Sequence, residues 1–292
     1  MTGHRGQRLA DYWRLTKPDV NVLIGVTTAV GFCIGARSSG GTVSAVRLLH
    51  TVVGTLLVAS GTGTLNQVIE RRFDALMRRT SRRPVASGRV AASCAAVFGL
   101  LLAAAGALLL AIAVNMLSMG LAIATMAIYL LVYTPLKRKS SLCTLVGALP
   151  GAAPPLIGWA AATGSLSIEA WILYGIVFLW QFPHFTAIAW MYREDYGRAG
   201  YHVLPRHTTG ATVIFWQAIV PLIVLMPLSL APIVLGHAGL GYLLTAVSLG
   251  GWFVVRADRL AAEQSNAAAR RLLGTSIAYL GLLFVVLLLD HI

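Results

Sequence analysis

Charge is scarce in this sequence, and negative charge is scarcer still. Of its 292 residues only 11% are charged, against about a quarter in an ordinary soluble domain. Aspartate and glutamate together number 10. A water-soluble enzyme is excluded on that count. Polar low-complexity tracts are missing too, which excludes a disordered chain. The three cysteines, Cys33, Cys94 and Cys143, lie in or beside apolar runs with no CxxC pair among them. Neither a disulfide framework nor a zinc site is expected. The first 19 residues form a polar, basic tail without the apolar stretch of a cleavable signal peptide.

What the chain has in abundance is apolar surface: 57% of residues are hydrophobic and the mean hydropathy is +0.76. Nine apolar segments follow one another, at about 20–36, 45–65, 91–112, 116–134, 142–162, 167–191, 211–234, 238–255 and 272–289. Each is close to the roughly 20 residues that a helix needs to cross a bilayer. None alternates in the manner of an outer-membrane barrel strand. The expected fold class is all-α: a polytopic integral membrane protein with nine transmembrane helices, forming a single domain over 1–292.

Lysine and arginine number 23, for a formal net charge of +13. On a soluble chain that excess suggests nucleic acid. Here no nucleic-acid partner is expected, and the cations instead report topology. All of them except Arg37 and Arg47 fall in the tail or in alternate connections, with seven arginines between the second and third segments. By the positive-inside rule the amino terminus is cytoplasmic and the carboxyl terminus exterior, in a membrane of the bacterial cytoplasmic type.

One basic connection carries more than topology. Asn66, Glu70 and Asp74 recur every four residues and are followed by Arg78, Arg79, Arg82 and Arg83. On a helix such residues stack on one face, with neighbouring Cβ atoms roughly 5–6 Å apart. Three oxygen-bearing side chains so placed suit Mg²⁺, which takes carboxylates together with phosphate oxygens of a substrate. The arginines suit the remaining phosphate oxygens, because a guanidinium fork matches them in pairs. The plainer alternative is a helix end whose acids offset its arginines. With so few carboxylates in the chain, two on one stripe at a membrane boundary favour function.

Asn66-x-x-x-Glu70-x-x-x-Asp74, leading into Met77-x-Arg79-Thr80-x-x-Arg83-Pro84, resembles the intramembrane prenyltransferases of the UbiA superfamily. Two further stretches are similar to its haem-O-forming branch: Tyr133 to Ser140 with Gly151 to Trp159, and Leu179 to Phe185 with Ala189 to Tyr196 and Ala199 to Pro205. The resemblance implies a nine-helix bundle. It also implies a reaction in which farnesyl diphosphate alkylates the 2-vinyl group of haem B to give haem O. Glu70 and Asp74, steadied by Asn66, would hold Mg²⁺, and Arg78, Arg82, Lys137 and Arg138 would share the diphosphate charge. Haem A synthase or assembly factors of terminal oxidases are the implied partners. Many members carry a second aspartate-rich motif after the sixth helix. Here that region reads Tyr192-Arg193-Glu194-Asp195-Tyr196, which leaves Asp195 as the candidate for a second metal. Asp19 after Pro18, and Cys143, also depart from the family pattern.

The remaining candidates belong to the acceptor. His184 lies deep in an apolar segment, where a polar ring is costly and usually functional. Axial haem ligand, partner of a haem propionate and ordinary hydrogen-bonded helix residue all stay open. Trp180, Phe185, Trp190 and Tyr192 are assigned to the same pocket, where ring faces stabilise a carbocation or stack on porphyrin. Trp171, Tyr174, Phe178 and Phe182 suit an interfacial belt and bundle packing. His202 and His207 are expected to be ordinary loop residues. Pro150, Gly151, Pro154 and Pro155 predict a broken fifth span beside a cavity. Two alternatives remain: a related enzyme acting on a quinone precursor or other aromatic acceptor, and a haem-handling membrane protein without catalysis.

Overall fold

The computed structural model describes residues 2–204 and 210–290, so Arg206 and His207 lie outside the described residues. Eleven helices follow in order: α1 (Thr2–Leu15), α2 (Pro18–Ser38), α3 (Ala45–Asp74), α4 (Ala92–Ala113), α5 (Met116–Leu136), α6 (Cys143–Thr163), α7 (Ile168–Met191), α8 (Arg193–Arg198), α9 (Gly210–Val234), α10 (Leu240–Glu263) and α11 (Asn266–Leu289). No strand occurs among the described residues. Nine of these helices, all but α1 and α8, are long and apolar enough to cross a membrane. In hydrocarbon a backbone must satisfy its own polar groups, and a helix does so within one segment. Short caps separate the crossings. Ser44 accepts from Arg47 N, Asn115 from Ser118 N, and Ser265 from Ala268 N, opening α3, α5 and α11.

Small residues set the closest packing, as expected where lipid removes any hydrophobic drive between helices. A Cβ added at Gly158 of α6 would stand 2.0 Å from the Thr28 carbonyl oxygen of α2, and one at Gly31 would stand 2.1 Å from that of Pro155. The α3–α4 pair meets in the same way, with a Cβ at Gly61 falling 2.5 Å from Gly99 O.

Two predicted elements come out differently. The second span does not stop near residue 65; α3 runs 30 residues to Asp74. At 1.5 Å per residue it is about 45 Å long, which exceeds the roughly 30 Å hydrocarbon core. Its polar continuation is buried by neighbouring helices, so hydropathy falls while the helix continues. The fifth span is not broken: α6 is one helix, with Pro150, Pro154 and Pro155 inside it. Proline φ is helical. Side chains from neighbours also supply donors to carbonyls of α6: Asn115 Nδ2 reaches Ala160 O at 2.8 Å and Gln181 Nε2 reaches Ala148 O at 3.1 Å.

A π-helical stretch, Ile128–Tyr133, does interrupt α5. Pro135 lies just beyond it and has no N–H to continue an α-helical ladder. Thr134 Oγ1 instead donates to Tyr129 O at 2.8 Å. This wide turn brings Thr134 and Lys137 against α3.

Candidate active site

Asn66, Glu70 and Asp74 are all buried, with exposures of 1%, 5% and 1%. Each one meets a group from a different part of the chain. Lys17 Nζ donates to Asn66 Oδ1 at 3.0 Å, while Asn66 Nδ2 donates to Thr134 Oγ1 at 3.2 Å. Lys137 Nζ lies 2.9 Å from Glu70 Oε1. Arg83 Nη1 lies 2.8 Å from both oxygens of Asp74. Lys17, Lys137 and Arg83 thus face two carboxylates and an amide, and positive charge is in excess.

Lys17 owes its aim to backbone geometry. It adopts φ 54° and ψ 59° between α1 and α2, the left-handed region that side chains seldom enter. Leu15 O, just before it, accepts from Gln67 Nε2 at 3.0 Å and Thr64 Oγ1 at 3.2 Å, which ties the turn to α3. Burial, with the cations of Arg83 and Lys137 nearby, pulls the Lys17 ammonium down to about 7. Burial acts in the same direction on Lys137, but Tyr133 and Glu70 outweigh it and hold that ammonium well above its usual value. The Lys137 ammonium also sits 4.4 Å above the Tyr133 ring. Tyr201 is buried close by, and burial followed by the charge of Glu70 pushes its phenol up.

The loop after α3 folds back over this end. Thr80 Oγ1 donates to Asp74 O at 2.9 Å, and Ser81 N to Met77 O at 2.9 Å. That path turns Arg83 toward Asp74. Arg78 and Arg82 are exposed. Arg138 is exposed as well, its guanidinium 4.2 Å from the Phe73 ring centre. Asp195, on α8, accepts from the backbone N–H of Arg78 at 3.3 Å and of Arg79 at 3.2 Å, and pairs with Arg198. Its carboxylate fastens the loop to α8. Burial opposes its ionisation, but the N–H of Arg79 with Arg198 and the N–H of Arg78 keep its pKa below the usual range.

Among the described residues no three His, Cys, Asp or Glu side chains gather as a metal cage. Two carboxylates and an amide on one buried stripe are nonetheless hard oxygen donors. They fit Mg²⁺, which keeps several waters and takes further oxygens from a phosphate.

The aromatic candidates separate by depth. Tyr192 is at the basic rim, with the Arg79 guanidinium 4.7 Å above its ring. Trp190 packs beneath Gly210, and Arg193 lies 5.2 Å from its ring centre. His184 sits six residues further in than Trp190, about 9 Å along the helix. The Trp180 and His184 rings lie 4.7 Å apart, tilted by 31°, and Phe185 lies 5.7 Å from the histidine. Trp180 is buried against α11, where its Nε1 donates to Ser276 O at 2.6 Å. His202 is a loop residue, its N–H donating to Lys137 O at 2.8 Å. Lys17, Tyr201 and Ser276 were not singled out as site residues from sequence, and Arg83 entered only as one of several loop arginines suited to phosphate oxygens. The Thr16-Lys17-Pro18 turn was the one available signal for Lys17.

A buried Mg²⁺-type donor stripe ringed by cations at one end of a helical bundle is the equipment of an enzyme that handles diphosphates in a membrane. The chain belongs to the UbiA prenyltransferase family, whose model matches residues 24–287. It is 46% identical over 289 residues to the protoheme IX farnesyltransferase of Solibacter usitatus, covering 97% of this chain and 99% of that one. In fold it is similar to a digeranylgeranylglyceryl phosphate synthase, with a TM-score of 0.79, 16% identity and coverage of 97% and 98%. It is also similar to an Archaeoglobus fulgidus UbiA homologue bound to DMAPP and Mg²⁺, with a TM-score of 0.64, 14% identity and coverage of 95% and 99%.

Proposed function

We propose that this protein transfers the farnesyl group of farnesyl diphosphate to the 2-vinyl group of haem B, giving haem O and diphosphate. The observation that carries the proposal is the buried Asn66–Glu70–Asp74 stripe facing Lys17, Arg83 and Lys137. The full-length similarity to protoheme IX farnesyltransferase supports the choice of substrates. Mg²⁺ bound by the stripe together with the diphosphate would supply neutralising charge for the leaving group.

The residues of the chain do the rest. Lys137 and Arg83 exchange their carboxylate contacts for diphosphate oxygens, with Lys17 adding a third cation. Arg78, Arg82 and Arg138 enrich the rim in positive charge. Fixed cations aimed at the charge that develops on the leaving group are the largest available source of rate. The C–O bond to farnesyl breaks, leaving an allylic cation among aromatic walls that include Phe185. The terminal vinyl carbon of haem B attacks it. Water then adds to the resulting cation beside the pyrrole, and a proton is released. His184 and Trp180 hold the porphyrin side of this site. Asp195 works through the loop it anchors. The membrane is of the bacterial cytoplasmic type, with the diphosphate end facing the cytoplasm.

The test is purified protein in detergent with Mg²⁺, farnesyl diphosphate and haem B, with haem O identified by mass. Asp74→Asn and Glu70→Gln keep shape but remove the charge that Mg²⁺ needs. Both should abolish product in folded protein, as should chelation of Mg²⁺. Near-normal turnover in both variants would reduce the stripe to a solvated helix face. A quinone precursor consumed in place of haem B would move the protein to the other branch.

A further inference from the structure

Ser276, on α11, is fully buried and is engaged through three hydrogen bonds. Its hydroxyl donates to Leu273 O at 2.6 Å, its carbonyl accepts from Trp180 Nε1 at 2.6 Å, and its Oγ lies 2.8 Å from His184 Nδ1. A serine hydroxyl has one hydrogen, and here Leu273 O takes it. Oγ can therefore only accept from the imidazole, so Nδ1 carries the hydrogen. With Nδ1 protonated, a neutral histidine presents Nε2 as a lone pair.

The direction of that lone pair follows from the helix. On α7, Gln181 reaches α6 at Ala148 and Trp180 reaches α11 at Ser276. At 3.6 residues per turn, His184 projects between those two contacts, into the bundle interior. The residue is not fully buried there, so part of it stays accessible.

We propose that Ser276 is a positioning residue that fixes the His184 tautomer, so that Nε2 serves as an electron-pair donor to the iron of the haem substrate. This rests on the reading that α7 receives the haem acceptor. A bare Nε2 cannot donate a hydrogen bond to a propionate carboxylate, and two acceptors repel. It can ligate iron, and the backing Nδ1–H bond is the usual means of orienting a ligating imidazole and raising its basicity. Of the haem groups open to His184, the tautomer selects the metal.

The experiment titrates the full-length protein in detergent with ferric haem B alone. It follows the Soret band and the electron paramagnetic resonance spectrum, and measures KM for farnesyl diphosphate separately. Wild type should show an imidazole-ligated haem. Ser276→Ala should weaken haem binding roughly 10- to 100-fold and shift the spectrum toward an unligated form, with KM for farnesyl diphosphate unchanged. Ser276→Thr, which restores a hydroxyl, should recover the wild-type spectrum. A Ser276→Ala protein with wild-type spectrum and affinity would overturn the proposal, as would a wild-type spectrum lacking an imidazole signature. His184→Ala separates the two levels. If it binds haem and turns over normally, the assignment of α7 to the acceptor falls. If it loses haem while Ser276→Ala does not, only the positioning role of Ser276 falls.

Discussion

Lys17 is a site cation whose charge changes near neutral pH, which makes it informative about charge. Its ammonium titrates near 7 in the free protein because burial and two neighbouring cations disfavour the charge. A diphosphate arriving beside it reverses that balance and raises the value. Above pH 7 the free side chain is mostly neutral, so binding takes up a proton and affinity for farnesyl diphosphate falls as pH rises. Calorimetry at pH 8 in buffers of different ionisation enthalpy should show this uptake, and Lys17→Met should abolish it. Uptake unchanged in Lys17→Met would place the proton elsewhere. Arg83 makes a different prediction. Its Nη1 alone reaches both Asp74 oxygens, and the guanidinium fork matches phosphate oxygens in pairs, so Arg83→Lys keeps the charge and loses the fork that would take the diphosphate. The expected cost is about 1–3 kcal/mol, or roughly five- to 160-fold in kcat/KM. Arg82→Lys, at an exposed position, should cost far less, and equal losses would refute the distinction.

At the level of helices, periodic features were legible in the sequence and path-dependent ones were not. The fourfold spacing of Asn66, Glu70 and Asp74 fixes a common face on any helix. Which arginine returns to that face depends on the irregular turn at Met77–Arg83, held by Thr80 and Ser81, and spacing does not encode it. Lys17 was hidden for a related reason: a left-handed residue before a proline has no periodic signature. Ser276 was silent because a serine in an apolar helix ordinarily bonds its own preceding turn. The proline-rich α6 misled in the opposite direction, since its continuity depends on what packs against it. That contact also carries a prediction. Gly158→Ala would place a methyl 2.0 Å from Thr28 O, a backbone atom that cannot turn aside. Overpacking of this kind costs about 1–3 kcal/mol. Thermal inactivation in detergent should come several degrees earlier. Gly120→Ala, where nothing lies within 4 Å, is the control. Equal behaviour would mean that α2 and α6 do not pack this tightly.

Across the whole molecule, charge and chemistry share one end. Asp74 with Arg83, Glu70 with Lys137, and Asp195 with the loop after α3 all meet where α3, α5 and α7 finish. The opposite end is nearly free of cations. Arg37 there is spent on Leu288 O at 2.6 Å, and Arg47 reaches Val114 O at 3.2 Å. Lysine and arginine resist transfer across a membrane, and on that ground we propose that the basic end is the one retained in the cytoplasm. The sidedness also suits the substrate, because a diphosphate is too highly charged to cross lipid. A periplasm-dependent reporter inserted after Gly236, between α9 and α10, should therefore be active. The same reporter after Lys139, between α5 and α6, should be silent, and a cytoplasm-dependent reporter should give the reverse pair. These two loops are separated by an odd number of crossings, α6, α7 and α9, so matching signals would mean that one of those helices does not span. Inverted signals at both sites would place the diphosphate end outside, where a cytoplasmic supply of farnesyl diphosphate could not reach it.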